Sequence, residues 1–348
     1  MAIKASGALS MQSDIVDEFG GTAPHAVSEY YRGGSNVPDV AGNNTIGTSG
    51  LIAFGNFYNC LNEILQALSN STNVDLSSIF GSDWTTSVPK RCTIAAGVTI
   101  GGTGGTAAIT VPSNMGGTLS IVITGSVIGT GGSAGGAGGD AISNAASGVT
   151  LIIESGGLCA GGGGGGGTGG TGGGGQYSSS STSGPLYSWP YGTRYVWADH
   201  WYGSFNFVVW ANTFYYSSSS GNQSFAKSGS SPTYDNTYES RMYAVTRTVT
   251  STTNTSGGAG GSGGVGQGYN QSNTSGSAGA SGGTNAGAGG TGGSGNTYGL
   301  AGSTGGTGAN GNAGNGSAGA AGGAAGAALS GTAVTFTNNG TVHGTVAT

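Results

Sequence analysis

Gly299-Leu300-Ala301-Gly302-Ser303-Thr304-Gly305-Gly306-Thr307-Gly308-Ala309-Asn310-Gly311-Asn312-Ala313-Gly314 carries glycine at every third position. A period of three matches a left-handed extended helix that rises ~3.1 Å per residue and makes no internal hydrogen bonds. One edge of such a helix is bare of side chains, so another backbone can come close enough there to hydrogen-bond. Collagen uses that edge but needs proline at ~15–20 % or more. This run has no proline, and the whole chain has seven. A laterally hydrogen-bonded bundle of polyglycine II helices fits better.

The competing reading is a flexible Gly/Ser linker. Ordering one residue's backbone costs ~1–2 kcal/mol, and a net hydrogen bond returns only ~0.5–1.5 kcal/mol. One isolated run therefore cannot stay ordered, whereas several packed runs, each bonded on more than one side, can. The sequence supplies the others: Gly129, Gly132, Gly135 and Gly138; Gly257, Gly260, Gly263 and Gly266; and Gly276, Gly279 and Gly282. Residues 161–167 are unbroken glycine, and glycine dominates to Gly175. That run has no side chain on any edge and is expected at the centre, with 299–314 outside it.

The 348 residues include 79 glycines, only 6 % are charged, and the net charge is −5. Arg247 is the last formally charged residue, so Ser, Thr and Asn must keep the C-terminal hundred residues in water. A charge-poor acidic chain lacks the Lys/Arg clusters that nucleic acid demands. No apolar run approaches the ~20 residues of a membrane span, and Met1-Ala2-Ile3-Lys4 leads into no signal core. Cys60, Cys92 and Cys159 form no framework; buried thiols are the simplest reading, with a Cys60–Cys92 pair left open. His25, His200 and His343 are isolated, so no metal or other cofactor is expected.

Charge concentrates at the start: twelve of the charged residues precede Thr93. Ser10 is a plausible N-cap for a short helix ending near Gly20, and 26–34 reads as another with a glycine stop. Leu61, Ile64, Leu65 and Leu68 have helical spacing, and 75–80 reads as a further turn or two. The succession Ser6-Gly7 with Leu9 and Met11, then Glu18-Phe19-Gly20-Gly21, then Ser28-Glu29-Tyr30-Tyr31-Arg32-Gly33-Gly34, resembles a small module near the start of many tailed-phage tail and fibre proteins. It covers about residues 3–58. The resemblance implies attachment to other phage tail proteins.

From Cys92 the texture turns to short β-rich runs at 93–94, 98–100, 108–111 and 119–123. A pattern then recurs of apolar strand, polar turn, apolar pair and glycine: Ile121–Gly129, Leu151–Gly161 and Val334–Gly344. With Gly138-Gly139-Asp140-Ala141-Ile142, this arrangement over 92–175 and 257–348 resembles glycine-rich phage tail-fibre adhesins of the T-even fibre-tip type. That resemblance implies a polyglycine II bundle whose loops bind the host. Here one long aromatic insert stands in place of several variable loops.

The insert, 176–250, holds Trp189, Trp197, Trp201, Trp210 and most of the tyrosines. Residues 205–210 and 243–249 read as strands, with Phe205, Phe207, Val209, Trp210 and Val245 assigned to a core. Tyr and Trp among Ser, Gly and Asn is a paratope composition, in which large rigid contacts lose little entropy. The candidate receptor-binding residues are Tyr187, Trp189, Tyr191, Trp201, Tyr215, Tyr216, Tyr234 and Tyr238, with Arg194 for an anionic sugar.

The expected fold is mainly β with a polyglycine II bundle, a small helical N-terminal module and an aromatic β insert. The expected divisions are 1–90 for virion attachment, 91–175 for strands and glycine runs, 176–256 for the insert and 257–348 for bundle and closing strand. The expected function is a non-catalytic host-recognition adhesin of a virion tail fibre or tip. It is expected to be made in the host cytoplasm without a signal peptide and to work as a homo-oligomer, a trimer, whose repeated contacts give avidity. A tailspike-like depolymerase is the enzyme alternative; it needs two carboxylates astride a sugar bond, and the insert offers Asp199, Asp235 and Glu239. Asp199-His200 lacks a nucleophile elbow. An ice-binding bundle is the third reading, but it gives the N-terminal module and the insert no role.

Overall fold

The computed structural model describes residues 3–191, 194–198, 208–211, 217–220, 223–227, 233–235 and 240–348. It is mainly β. Two buried clusters divide the N-terminal third. Ile3, Ile15, Phe19, Tyr30, Val37, Ile46, Phe57 and Cys60 form one; the second begins at Ile64 and runs on to Val334.

In the first cluster Ser10 caps a short helix as expected. Its side chain accepts from the Ser13 amide, and a π-helical Met11–Val16 passes into an α-helical Asp17–Phe19 ending at Gly20. The expected helix over 26–34 shrinks to a 3-10 turn, Val27–Glu29. Burial of Tyr30 explains this: its hydroxyl donates to the Gly20 carbonyl at 2.7 Å, and the chain leaves helical geometry at that residue.

The second cluster lies inside a parallel strand stack. Its first turn is β1 (Ile64–Leu68), β2 (Ser71–Thr72) and β3 (Val74–Asp75). The second is β4 (Lys90–Ile94), β5 (Thr99–Gly101) and β6 (Ile109–Val111); the third is β7 (Leu119–Ile123), β8 (Ser126–Ile128) and β9 (Ile142–Asn144). Then come β10 (Val149–Ile153) and β11 (Leu158–Ala160). The helix expected over 61–68 is therefore a strand in its second half. Ile64 and Leu68 are buried, Leu65 is 51 % exposed, and the whole strand pairs in parallel with β4. The apolar spacing there serves a strand end and a loop, because Leu61 packs under Gly42.

After β11 the chain departs and returns only at β19 (Leu329–Gly331), β20 (Thr335–Asn338) and β21 (Thr341–His343), once seven further strands between Gly175 and Thr255 have intervened. The returning strands complete sheets of order β1-β4-β7-β10-β20, β2-β5-β8-β11-β21 and β19-β9-β6-β3. The three recurring sequence patterns thus lie in register: Ile121 pairs with Leu151 and Leu151 with Phe336, while Val127 pairs with Cys159 and Cys159 with Val342. Like residues stack inward on successive turns, each adding ~1.5–3 kcal/mol of apolar burial. Inside the same stack, buried Lys90 gives its Nζ protons to the carbonyls of Thr86, Val88 and Gly116; desolvation holds its pKa below the ordinary lysine value. All three cysteines are free and buried. Cys60 belongs to the first cluster and Cys92 to the second, so they do not pair.

One corner of the stack gives rise to everything else. Between its second and third sides the first turn has only Asn73, the second 102–108, the third 129–141 and the fourth 161–328. The glycine runs are the last two of these excursions. The run from Gly161 makes its hydrogen bonds with other runs and none within itself. Gly162 and Gly165 donate to Gly139 and Gly136, and accept from Gly326 and Gly323. Gly163 and Gly166 donate to Gln267 and Gly264, and accept from Gly132 and Gly135. Gly164 and Gly167 donate to Leu300 and Ser303, and accept from Asn296 and Gly293. Six neighbouring runs, two to each edge, therefore surround 161–167, and all seven glycines are buried. The ring closes on itself: Gly139 bonds to Thr130, Gly138 to Ala324, Gly302 to Gly323, Ser303 to Ser294, Gly264 to Gly293 and Gly266 to Gly132. The 273–282 run packs outside the ring, with Ser277 bonding to Ser262 and receiving Gly292. None of the glycines from 161 to 175 has a positive φ.

Candidate functional site

The insert leaves the bundle as a ribbon. β12 (Gly175–Tyr191) pairs antiparallel with β18 (Ser240–Thr255) from Gly175↔Thr255 to Ser183↔Arg247; after a register shift, pairing resumes from Leu186↔Val245 to Ser188↔Tyr243. β13 (Arg194–Ala198) folds back on β12, and β14 (Val208–Ala211) adds to β13. On the other side β16 (Gln223–Lys227) pairs with β18 and β15 (Ser217–Ser220) with β16, while β17 (Thr233–Asp235) pairs with β18 at Thr233↔Met242. Serine, threonine and aromatic residues dominate these strands, and threonine and aromatics favour β pairing.

The run of 161–175 sets the place of that ribbon. Fifteen residues, 161–175, lie between the stack and the ribbon base. The ribbon base is tied to two turns of the bundle. Gln176 donates its amide to Asn312 Oδ1 at 2.7 Å and accepts from Asn312 Nδ2 at 2.8 Å and from Asn285 Nδ2 at 3.1 Å. On the opposite strand Asn254 accepts from Gln176 Nε2 at 3.0 Å, and Thr255 Oγ1 donates to the Thr284 carbonyl at 2.6 Å.

Tyr187, Trp189 and Tyr191 alternate along β12, where Trp189 pairs with Val196 and Tyr191 with Arg194. Five of the nine candidate residues are thereby located on described strands: Tyr187, Trp189, Tyr191 and Arg194 together at the β12–β13 pair, and Tyr234 apart on β17, opposite Arg241. Trp201, Tyr215, Tyr216 and Tyr238 lie outside the described residues, as do Phe205, Phe207, Asp199 and Glu239. Asp235 closes β17 opposite Ser240. The strand expected at 205–210 is described over Val208–Ala211, and that expected at 243–249 is part of β18. Among the described residues no group of His, Cys, Asp or Glu is gathered for a metal, and no helix is long and apolar enough to cross a membrane.

Sequence reasoning missed Gln176, Asn285 and Asn312. Gln176 and Asn285 stand where a glycine period breaks, but Asn312 sits inside the Gly299–Gly314 period, so no shared signal marks the three. The Gly138–Ile142 motif is explained by Asp140, whose carboxylate takes the Ala327 amide at 2.7 Å and the Ser330 hydroxyl at 2.6 Å, fastening the returning chain to the stack.

Over residues 62–240 the chain matches the model of a known family, the phage tail fibre adhesin Gp38. It belongs to that family. This tail fibre adhesin is thus a host-recognition component of the virion tail. Among solved structures it matches the crystal structure of the gp37-gp38 adhesin tip complex of the bacteriophage S16 long tail fiber, at 17 % identity and a TM-score of 0.38, covering 98 % of this chain and 99 % of that one. Comparison with curated proteins finds no match.

Proposed function

We propose that this adhesin grips the bacterial surface through its aromatic insert, residues 176–254, without turnover, and that its glycine runs are polyglycine II helices forming a rigid support. The carrying observation is that the insert starts at the end of the 161–175 run farthest along the chain from the strand stack. The three-residue hydrogen-bond period and the absence of positive φ along 161–175 support the polyglycine II assignment. Tyr187, Trp189, Tyr191, Trp201, Tyr215, Tyr216, Tyr234 and Tyr238 supply rings for sugar faces or an outer-membrane protein, and Arg194 supplies charge for an acidic sugar.

Residues 3–60, with a core of their own, are the proposed attachment module joining other tail fibre proteins. In the proposed divisions the stack and its glycine runs take 62–175 and 255–348, with the insert, 176–254, between.

The test is adsorption by particles carrying Trp189→Ala and Tyr191→Ala. Loss of adsorption with an unchanged melting temperature supports the reading. Shortening of a surface polysaccharide by the wild type, abolished by Asp235→Asn, replaces it with a depolymerase.

A further inference from the structure

We infer that Gln176, Asn285 and Asn312 are positioning residues: they fix the direction in which the insert leaves the bundle and so govern host recognition without touching the host. The inference rests on the reading that the insert carries binding.

The chain enters the ribbon through Gly172-Gly173-Gly174-Gly175 and leaves it through Ser256-Gly257-Gly258. Glycine is the residue with the widest backbone freedom, so these are the places where a two-stranded ribbon would swing. The amide junction sits on them. Asn312 offers Gln176 both an acceptor and a donor, which mimics the paired bonds of a strand neighbour. Asn285 adds a second donor to the same carbonyl, and its own carbonyl holds the Asn312 amide at 3.0 Å. Gln176 Nε2 carries the link across to Asn254, and Thr255 is held separately at Thr284. Both ribbon strands are thus tied to the turns at 283–286 and 312–315, which join four different runs.

These bonds are exposed and compete with water, so they add little to overall stability. Their leverage is geometric. The ribbon from Gln176 to Ser188 spans roughly 40 Å at ~3.3 Å per residue, so a tilt of about 10° at the base moves its far end by ~7 Å. A contact surface that must meet a receptor in one orientation loses more to such a swing than the bundle does.

The experiment compares particles bearing the full chain as wild type, Asn285→Ala/Asn312→Ala, Asn312→Asp (which keeps the acceptor for the Gln176 amide) and Asn315→Ala, a change in the same turn outside the junction. A further variant joins Ser178 directly to Thr252 by a two-residue turn. The expected result is at least a tenfold slower adsorption for the double alanine variant. Amide exchange at Gln176 should be faster, while protection at Gly164 and Gly167 and the melting temperature stay unchanged. Asn312→Asp should fall between, and Asn315→Ala should match the wild type. Wild-type adsorption by the double variant overturns the inference, as does unchanged exchange at Gln176. So does a melting temperature that falls together with bundle protection, which would make the junction merely structural. Wild-type adsorption by the shortened variant instead overturns the insert reading itself.

Discussion

The amide of Gly165 meets the carbonyl of Gly136 at 2.9 Å, and one turn further along the same edge the residue is Thr168. The neighbouring hairpin turns at Ala134 and Gly135, so 162 and 165 face backbone while Thr168 and Thr171 face water. The same rule operates on the returning run. Gly316 and Gly319 stand singly facing the 301–311 run, while Ser317 and Ala320 bond through their amides to Thr171 and Thr168 of the central run; glycines double at Gly322-Gly323, where 136–139 begins alongside as a further neighbour. Side chains thus appear where a neighbour ends.

Gly165→Thr drives a Cβ into the Ser133 carbonyl and should expel the 129–141 hairpin, whereas Thr168→Gly should leave it seated. Amide exchange at Gly132 and Gly135 reads the difference. Equal protection in the two variants would contradict the edge rule.

Gly164→Val meets the Gly323 carbonyl and the Gly302 amide with no room to move, because every listener on that edge is backbone. Ala309 is exposed on the outer face of its run. The first change should cost more than ~4 kcal/mol or block folding, and Ala309→Val should stay within about 0.5 kcal/mol. Thermal melting of both variants checks this.

Asp140→Ala removes the acceptor of the Ala327 amide and the Ser330 hydroxyl at the point where 327 re-enters the stack. A loss of ~1.5–3 kcal/mol is expected for hydrogen bonds to a charged group. Faster exchange should be confined to 324–331 and its partners β9 and Gly138.

Burial pushes the thiols of Cys92 and Cys159 from the ordinary 9.0 up to about 12. The folded state therefore holds these protons more tightly than the unfolded chain. Their contribution to stability is complete below pH 9 and declines as pH rises from about 9 through about 12. Native protein at pH 8 should resist a thiol-disulfide reagent at both sites, and serine at both positions should flatten the alkaline fall of the melting temperature.

The glycine arrangement was legible because period and edge leave little choice: a side chain either has a neighbour's backbone in its place or it does not. The short helix at 75–80 and the strands at 119–123 and 151–153 were legible for similarly local reasons; the Asp75 cap was not read. The parallel stacking was not read, although Ile121, Leu151 and Phe336 recur at like places, because register between distant copies is a tertiary fact. Residues 61–68 misled through a helical spacing shared between a loop and an edge strand. The six neighbours that enclose 161–167 all come from the one chain. At the site, aromatic density drew attention to Trp189 and Tyr191, while Gln176, Asn285 and Asn312 resembled ordinary loop residues until their bonds were seen.

The most direct measurement is the host range of particles in which residues 176–254 of this chain replace the corresponding segment of a family member with a different host. Adsorption to this protein's host, with loss of the recipient's own, is the expected result. Retention of the recipient's host range by a folded, assembled chimera would place recognition outside the insert.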